Sequence, residues 1–302
     1  MYHGAETRVR TCGGDTEPFK ITIGLHQGSA LSLYLFALVM DELTKDIQTE
    51  VPWCMLFTDD IVLVDEIKEG VNTKLELWRN NLESKGLKLS RKKTEYMECK
   101  FSKNARVEDV IIKLENQILQ RKDHFRYLGS MIQKDGEIHE YVTHKIKAGW
   151  LKWRNASGVL CDGKIPLKLK RKFYRTAIRP VLLYGSECWV VKYQHEQKTS
   201  VAEMGMLRWM RGHTRKDKIR NEVIHNKVRV VPIEEKMRET RLRWFGHVKR
   251  RPRDTHVRRV DEMEQLVKKR GRGRPKKTLG ETLKFDMKCM DLNEDMTKDR
   301  NT

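Results

Sequence analysis

Cys54-Met55-Leu56-Phe57-Thr58-Asp59-Asp60-Ile61-Val62-Leu63-Val64 joins two apolar runs through a pair of adjacent carboxylates. Apolar runs this short, parted by polar turn residues, read as two strands meeting at an acidic turn. Neighbouring carboxylates beside apolar strands are costly unless something positive sits against them. Hard divalent cations such as Mg2+ take carboxylate oxygens. Asp-Asp is equally a common turn dipeptide that needs no ligand. The stretch alone leaves both readings open.

Working outward, residues 19–23 alternate like a short strand and residues 24–29 read as a loop. A helix is predicted from about 32 to 48, with Leu31, Leu35, Leu38, Val39, Leu43 and Ile47 as its buried stripe and Ser29 or Ser32 as N-cap. A second helix is predicted over 70–85, stopped by Gly86. Residues 87–89 and 94–98 read as short strands, 110–112 with 118–119 as a hairpin, and 125–129 as a strand and turn. From Glu137 the periodicity becomes helical, with Ile138, Val142, Ile146, Trp150 and Trp153 on one face. Further helices are predicted over 167–184, broken near Pro180, and over 204–210 and 233–251. Past about Arg253 the chain is basic and of low complexity, and it reads as a largely disordered tail. The fold class expected is α+β.

Phe57-Thr58-Asp59-Asp60 resembles the aromatic-x-Asp-Asp box, motif C, of reverse transcriptases. His26-Gln27-Gly28-Ser29-Ala30-Leu31-Ser32 resembles motif B, and Gly86-Leu87-Lys88-Leu89-Ser90 with Lys93-Thr94-Glu95 is similar to motif D. Phe125-Arg126-Tyr127-Leu128-Gly129 resembles motif E, the primer-grip hairpin. Four boxes in the family's order and spacing point to the non-LTR (LINE-type) retrotransposon enzymes. The resemblance continues through Leu183-Tyr184-Gly185-Ser186-Glu187-Cys188-Trp189 and Leu242-Arg243-Trp244-Phe245-Gly246-His247-Val248, covering residues 1 to about 255. Thr58 and Leu33 depart from it, standing where the family has a small apolar residue and a proline.

The resemblance implies a partial palm at 1–136, a helical thumb and extension at 137–252, and a basic tail at 253–302. It implies that Asp59 and Asp60 hold catalytic Mg2+, and that Gln27, Gly28, Ser29 and Lys93 lie near template base, nucleotide and triphosphate. Tyr127, Leu128 and Gly129 would meet the primer. Lys145, Lys147, Lys152 and Arg154 would meet the phosphates of an RNA template paired with a DNA primer, or of another duplex. Trp150 and Trp153, on the same helix, read better as core. Arg272 and Arg274, in Gly271-Arg272-Gly273-Arg274-Pro275, resemble an AT-hook core, which enters narrow minor grooves, though nonspecific phosphate contact is the simpler reading.

Charge agrees with a polyanion partner. The net charge is +20; residues 1–150 carry 22 Lys and Arg against 23 Asp and Glu, and residues 151–302 carry 40 against 19. Such asymmetry is the footprint of a phosphate-binding segment, although a helical domain with solvated Lys and Arg shares it. No run approaches the roughly 20 apolar residues of a membrane span, and MYHGAETRVR has no signal-peptide core. Six cysteines form no C-x-x-C pair, which speaks against a zinc or disulfide framework and for a reducing, intracellular setting. His139-Glu140 and His144 lack the four-residue histidine spacing of a metalloprotease helix. Lys268 to Lys277 point to the nucleus.

One box is not found. The only acidic residues before Gly24 are Glu6, Asp15 and Glu17, and none stands in an apolar strand like motif A, the family's first catalytic aspartate. The expectation is therefore a truncated RNA-directed DNA polymerase of retroelement origin, inactive alone for want of motif A and the fingers. The alternatives are a non-catalytic nucleic-acid-binding protein built on the helical half, and a reading frame whose partial palm folds poorly.

Overall fold

The computed structural model describes residues 4–22, 24, 28–99, 111–115, 117–260 and 277–298. In chain order its first elements are β1 (Glu6–Thr7), β2 (Arg10–Thr11), β3 (Gly14–Asp15), β4 (Phe19–Lys20), α1 (Ala30–Thr44), β5 (Cys54–Phe57), β6 (Asp60–Leu63) and α2 (Lys68–Ser84). Then come β7 (Tyr96–Met97), β8 (Lys113–Leu114), β9 (Gln117–Ile118), β10 (Arg121–Lys122), β11 (His124–Tyr127) and β12 (Ser130–Gln133). Helices follow: α3 (His139–Asn155), α4 (Ser157–Leu160), α5 (Leu167–Phe173), a π-helical turn Tyr174–Ile178 and α6 (Arg179–Leu183). The last are α7 (Tyr193–Met210), α8 (Asn221–Val228), α9 (Ile233–Lys249) and α10 (Leu279–Cys289). The fold is α+β with its helices gathered in the C-terminal half. Each described sheet has two strands, antiparallel except for the parallel pair β7–β10. Two compact units divide the chain: Met1–Thr94 with Glu108–Leu119, and Glu95–Val107 with Gln120–Thr302.

In the first unit, the β5–β6 hairpin lies over α1 and α2. Its inner positions Cys54, Leu56, Ile61 and Leu63 meet Met40 of α1 and Trp78 and Leu82 of α2. These four are the cross-strand pairs Cys54↔Leu63 and Leu56↔Ile61, so alternation sends one face of the hairpin inward. The side chain of Asn72 on α2 accepts from the Lys113 amide and donates to the Ile111 carbonyl, and Glu76 accepts from the Glu115 amide. α2 thereby pins the β8–β9 hairpin, whose strands are 113–114 and 117–118 where 110–112 and 118–119 were expected; residue 110 lies outside the described residues. Residues 87–89 form no strand.

α1 faces the core differently from the prediction. Its buried line is Ser32, Met40 and Thr44, with Phe36 and Ile47 packed alongside. Leu31, Leu38 and Val39 of the predicted stripe are exposed. A helix apolar almost all round carries no periodic signal for choosing its inner face. The choice fell to the partners, Trp78 above all.

The second unit holds two larger clusters. Trp153, Leu160, Tyr174, Ile178, Leu182, Met206, Leu207, Ile224 and Ile233 join α3 to α9 in one of them. Tyr141, Val142, Trp189, Val191 and Met237 form the other. Trp153 is core, as expected; Trp150 is half-buried in edge-to-face contact with it at 5.7 Å. The expected break near Pro180 is the π-turn before it: proline removes a donor and crowds the preceding turn, and the wider turn absorbs the mismatch. α7 begins eleven residues before the predicted 204, because its first turns are polar and bury His195 and Thr199 instead of an apolar stripe.

The tail needs correction. Residues 261–276 lie outside the described residues, but α10 is a capped helix with buried Leu283, Thr282 and Asp286. Thr278 accepts from the Glu281 amide, and the Glu281 carboxylate accepts from the Thr278 amide. Asp286 receives Arg241 at 2.7 Å and Arg238 at 3.3 Å from α9. The basic composition of the segment hid a short amphipathic helix held by a buried ion pair.

Candidate active site

β5 and β6 are joined by a two-residue turn, Thr58-Asp59, between the facing pair Phe57 and Asp60. Strong strand formers on both arms and the packed inner face fix this register, since a one-residue slip would turn Cys54, Leu56, Ile61 and Leu63 outward. Phe57, Asp59 and Asp60 are all exposed at the tip. Thr58 has φ +52°, a left-handed conformation rarely adopted by a β-branched residue. Its hydroxyl donates to Asp59 Oδ1 at 2.9 Å. A two-residue hairpin demands positive φ at its first position, and Thr58 occupies it.

Both carboxylates face solvent, and among the described residues neither has an ion-pair partner. Hard, accessible oxygens of this kind suit a hard cation. Among the described residues no group of three or more His, Cys, Asp or Glu side chains gathers to hold a metal. Asp59 and Asp60 are thus two donors from one turn, and any opposing donor comes from water, substrate or another segment.

Gly28 has φ +92°, and a Cβ placed there would meet nothing within 4 Å, so its backbone lies open. Ser29 stands at the N-cap position of α1 but makes no side-chain capping bond, which leaves its hydroxyl free of that role. Ser32 is the buried one of the two serines, and its hydroxyl has no partner in the structure. His26 and Gln27 lie outside the described residues, as do Arg272 and Arg274. Lys93 sits exposed in the turn 91–93.

In the second unit, β11 and β12 pair from His124↔Gln133 to Tyr127↔Ser130, leaving Leu128 and Gly129 as the turn. Both have positive φ, +49° and +73°. Side chains from α3 and from the residue just past α6 hold their carbonyls. The Tyr184 hydroxyl donates to the Leu128 carbonyl at 2.9 Å, and Lys145 Nζ donates to that of Gly129 at 2.9 Å. Lys145 Nζ also lies 4.2 Å from the Tyr184 ring centre. Tyr141 donates to the Tyr184 carbonyl at 2.8 Å and sits 3.1 Å from the Ser130 hydroxyl. Gly185 is required beside it, since a Cβ there would come within 2.3 Å of the Tyr141 oxygen.

Lys145 was expected among the surface lysines. It is buried, 7% exposed, and its pKa is lowered, first by burial and then by Arg126. It anchors the hairpin turn and does not present its charge outward. Lys147, Lys152 and Arg154 do face solvent. Tyr141 and Tyr184 were missed as clamp residues. The only sequence signal was the Tyr184-Gly185 pair, a ring followed by a residue without a side chain.

The sequence comparisons bear on what this arrangement is. The reverse transcriptase (RNA-dependent DNA polymerase) family model matches residues 3–132. Over those residues the chain is similar to reverse transcriptases. The match takes in Gly28, Ser29, Asp59, Asp60, Lys93 and the β11–β12 turn. A transposon-derived protein of Caenorhabditis elegans is 22% identical over 200 residues, 65% of this chain and 71% of that protein. The retrovirus-related Pol polyprotein of the type-1 retrotransposable element R2 of Popillia japonica is 27% identical over 191 residues, 57% of this chain. The aligned part is 25% of that polyprotein's length. No solved structure matches the chain. Both relatives are retroelement proteins by name, and it is to them that the chain is similar. Reverse transcriptases take a nucleic-acid template and primer and use a divalent metal. No helix among the described residues is long and apolar enough to cross a membrane.

Proposed function

We propose that this chain is palm and thumb of a retroelement RNA-directed DNA polymerase, with Asp59 and Asp60 as its metal-binding carboxylates. The observation that carries this is the acidic pair at the tip of the β5–β6 hairpin, inside the stretch that matches the family. Mg2+, when bound, would neutralise triphosphate charge and stabilise the in-line displacement. The open backbone at Gly28 and the uncommitted Ser29 hydroxyl suit a template base and incoming nucleotide, a role the resemblance gives Gln27 as well. Lys93 would meet the triphosphate, and the turn Tyr127-Leu128-Gly129, held by Lys145 and Tyr184, the primer end.

These 302 residues alone are expected not to extend a primer. Glu6, Asp15 and Glu17 lie exposed in short strands or loops, and Asp15 is already paired with Arg10 at 3.1 Å. None replaces the opposing carboxylate. The test is incubation of the purified chain with a primed RNA template, Mg2+ and labelled nucleotides. Extension that disappears in Asp59→Asn would defeat the claim of inactivity and uphold the site; extension that persists would defeat both.

A second reading is a non-catalytic nucleic-acid-binding protein located in the nucleus. The charge excess of residues 151–302, within a helical unit with its own core, favours it. Salt-dependent duplex binding without extension would support that reading.

A further inference from the structure

α5 and the π-turn after it carry a face of cations that no described side chain pairs. Lys168, Arg171, Lys172 and Arg175 recur at i, i+3, i+4 and i+7, which sets them on one side of the helix. The opposite side is buried: Tyr174 and Ile178 are fully enclosed, and Lys170 turns in toward the Met210 carbonyl at 3.5 Å. Lys168, Lys172 and Arg175 are exposed and Arg171 half-buried. Among the described residues none of the four side chains has an ion-pair or hydrogen-bond partner. They line, with Leu169 and Thr176, an open groove of about 440 Å³ that contains no acidic residue.

Two general effects make this arrangement unfavourable to the helix itself. Like charges at i, i+3 and i, i+4 repel. Cations in the first turn also oppose the helix dipole, and α5 has no acidic residue there to offset Lys168. No described side chain offsets either cost. A polyanion against this face would remove both.

We propose that the Lys168–Arg175 face is the surface on which the helical unit holds a nucleic-acid duplex, through sequence-independent contacts to its phosphates. This rests on the nucleic-acid reading above and names the surface responsible. The four positions span about 10 Å of helix at 1.5 Å per residue, over which a duplex offers one negative charge per about 1.7 Å of axis. Charge density, not shape, makes the match, so the face selects duplex without selecting sequence.

The test uses the full chain and a blunt 20-base-pair DNA duplex, with affinity followed by fluorescence anisotropy across a KCl series. Each phosphate contact contributes about 0.9 to the slope of log affinity against log salt. A variant with Lys168, Arg171, Lys172 and Arg175 all changed to Ala is expected to lose about 3 to 4 from that slope. A control with Arg211, Lys216, Arg220 and Lys227 changed to Ala loses the same charge elsewhere in the unit and is expected to lose less than half as much. The face variant is also expected to melt no lower than the wild type, since repulsion is relieved and Ala favours helix. A wild type without salt-dependent duplex binding would overturn the nucleic-acid reading itself. A wild type that binds, with an unchanged face variant or equal loss in both variants, would overturn only this surface. A clearly lower melting temperature of the face variant would show the four cations to be structural, and would overturn it too.

Discussion

Thr58 shows how a single residue can carry the tension of a site. Its φ of +52° costs a β-branched side chain roughly 1–3 kcal/mol. Asn tolerates this region far better. Thr58→Asn is expected to raise stability by about 1 kcal/mol, read as a higher melting temperature; an unchanged or lower one would show that no strain resides there. His195 carries a pH dependence. It is fully buried, and Nδ1 accepts the Lys192 amide at 3.3 Å, so a proton there would break a helix-capping bond. Its pKa lies below the usual histidine value, first through burial and then through His139 and Lys192. The unfolded chain therefore takes up a proton before the folded one as pH falls below about 6.5. Stability from this group is full above that value and declines below it, until the folded-state pKa is passed. Melting followed from pH 7.5 to 5.5 should show a steeper acid loss in the wild type than in His195→Asn, which keeps an acceptor but cannot titrate. Parallel curves would remove His195 as the source.

At the scale of elements, helices of the second unit are joined through buried charge as well as apolar contact. Glu203, 1% exposed, receives the Tyr174 hydroxyl at 2.7 Å, Arg179 at 3.1 Å and the Ile233 amide at 2.9 Å, tying the π-turn, α7 and the start of α9. Asp286 does the same for α9 and α10. Removing one partner of a buried pair leaves the other charge uncompensated, typically at 3–5 kcal/mol. Asp286→Ala strands Arg241, itself 1% exposed, and should release α10. Limited proteolysis would show new cleavage within 279–289; protection equal to the wild type would mean that apolar contacts through Leu283 suffice. The β11–β12 turn follows the same logic, its geometry resting on Lys145 and Tyr184 and not on its own sequence. No periodicity in residues 124–133 announces that dependence.

At the scale of the whole molecule, the two units differ in depth of core. Of the largest fully buried side chains among the described residues, only Leu114 belongs to the first unit; Trp153, Trp189, Tyr174, Leu207 and Ile233 are among those of the second. Protection against hydrogen exchange tracks buried contact. Amides of α3, α7 and α9 should exchange more slowly than those of α1 and α2, and equal protection would contradict the difference in burial. The exposed apolar face of α1, with Leu31, Leu38 and Val39, belongs to the shallower unit. The linear sequence carried the likeness to reverse transcriptases over residues 3–132, the α+β class, the β5–β6 hairpin with its acidic tip and the concentration of positive charge, because these depend on local pattern and ordered motifs. Tertiary structure alone decided which face of α1 is buried, that Lys145 points inward, that α10 is anchored, and that the side chains of Lys168, Arg171, Lys172 and Arg175 have no partner among the described residues. Each of these is set by what a side chain meets from distant segments, and no local pattern encodes that meeting. The acidic pair at Asp59 and Asp60 was legible as chemistry from the start; its strained turn and its lack of a third described carboxylate were visible only in three dimensions.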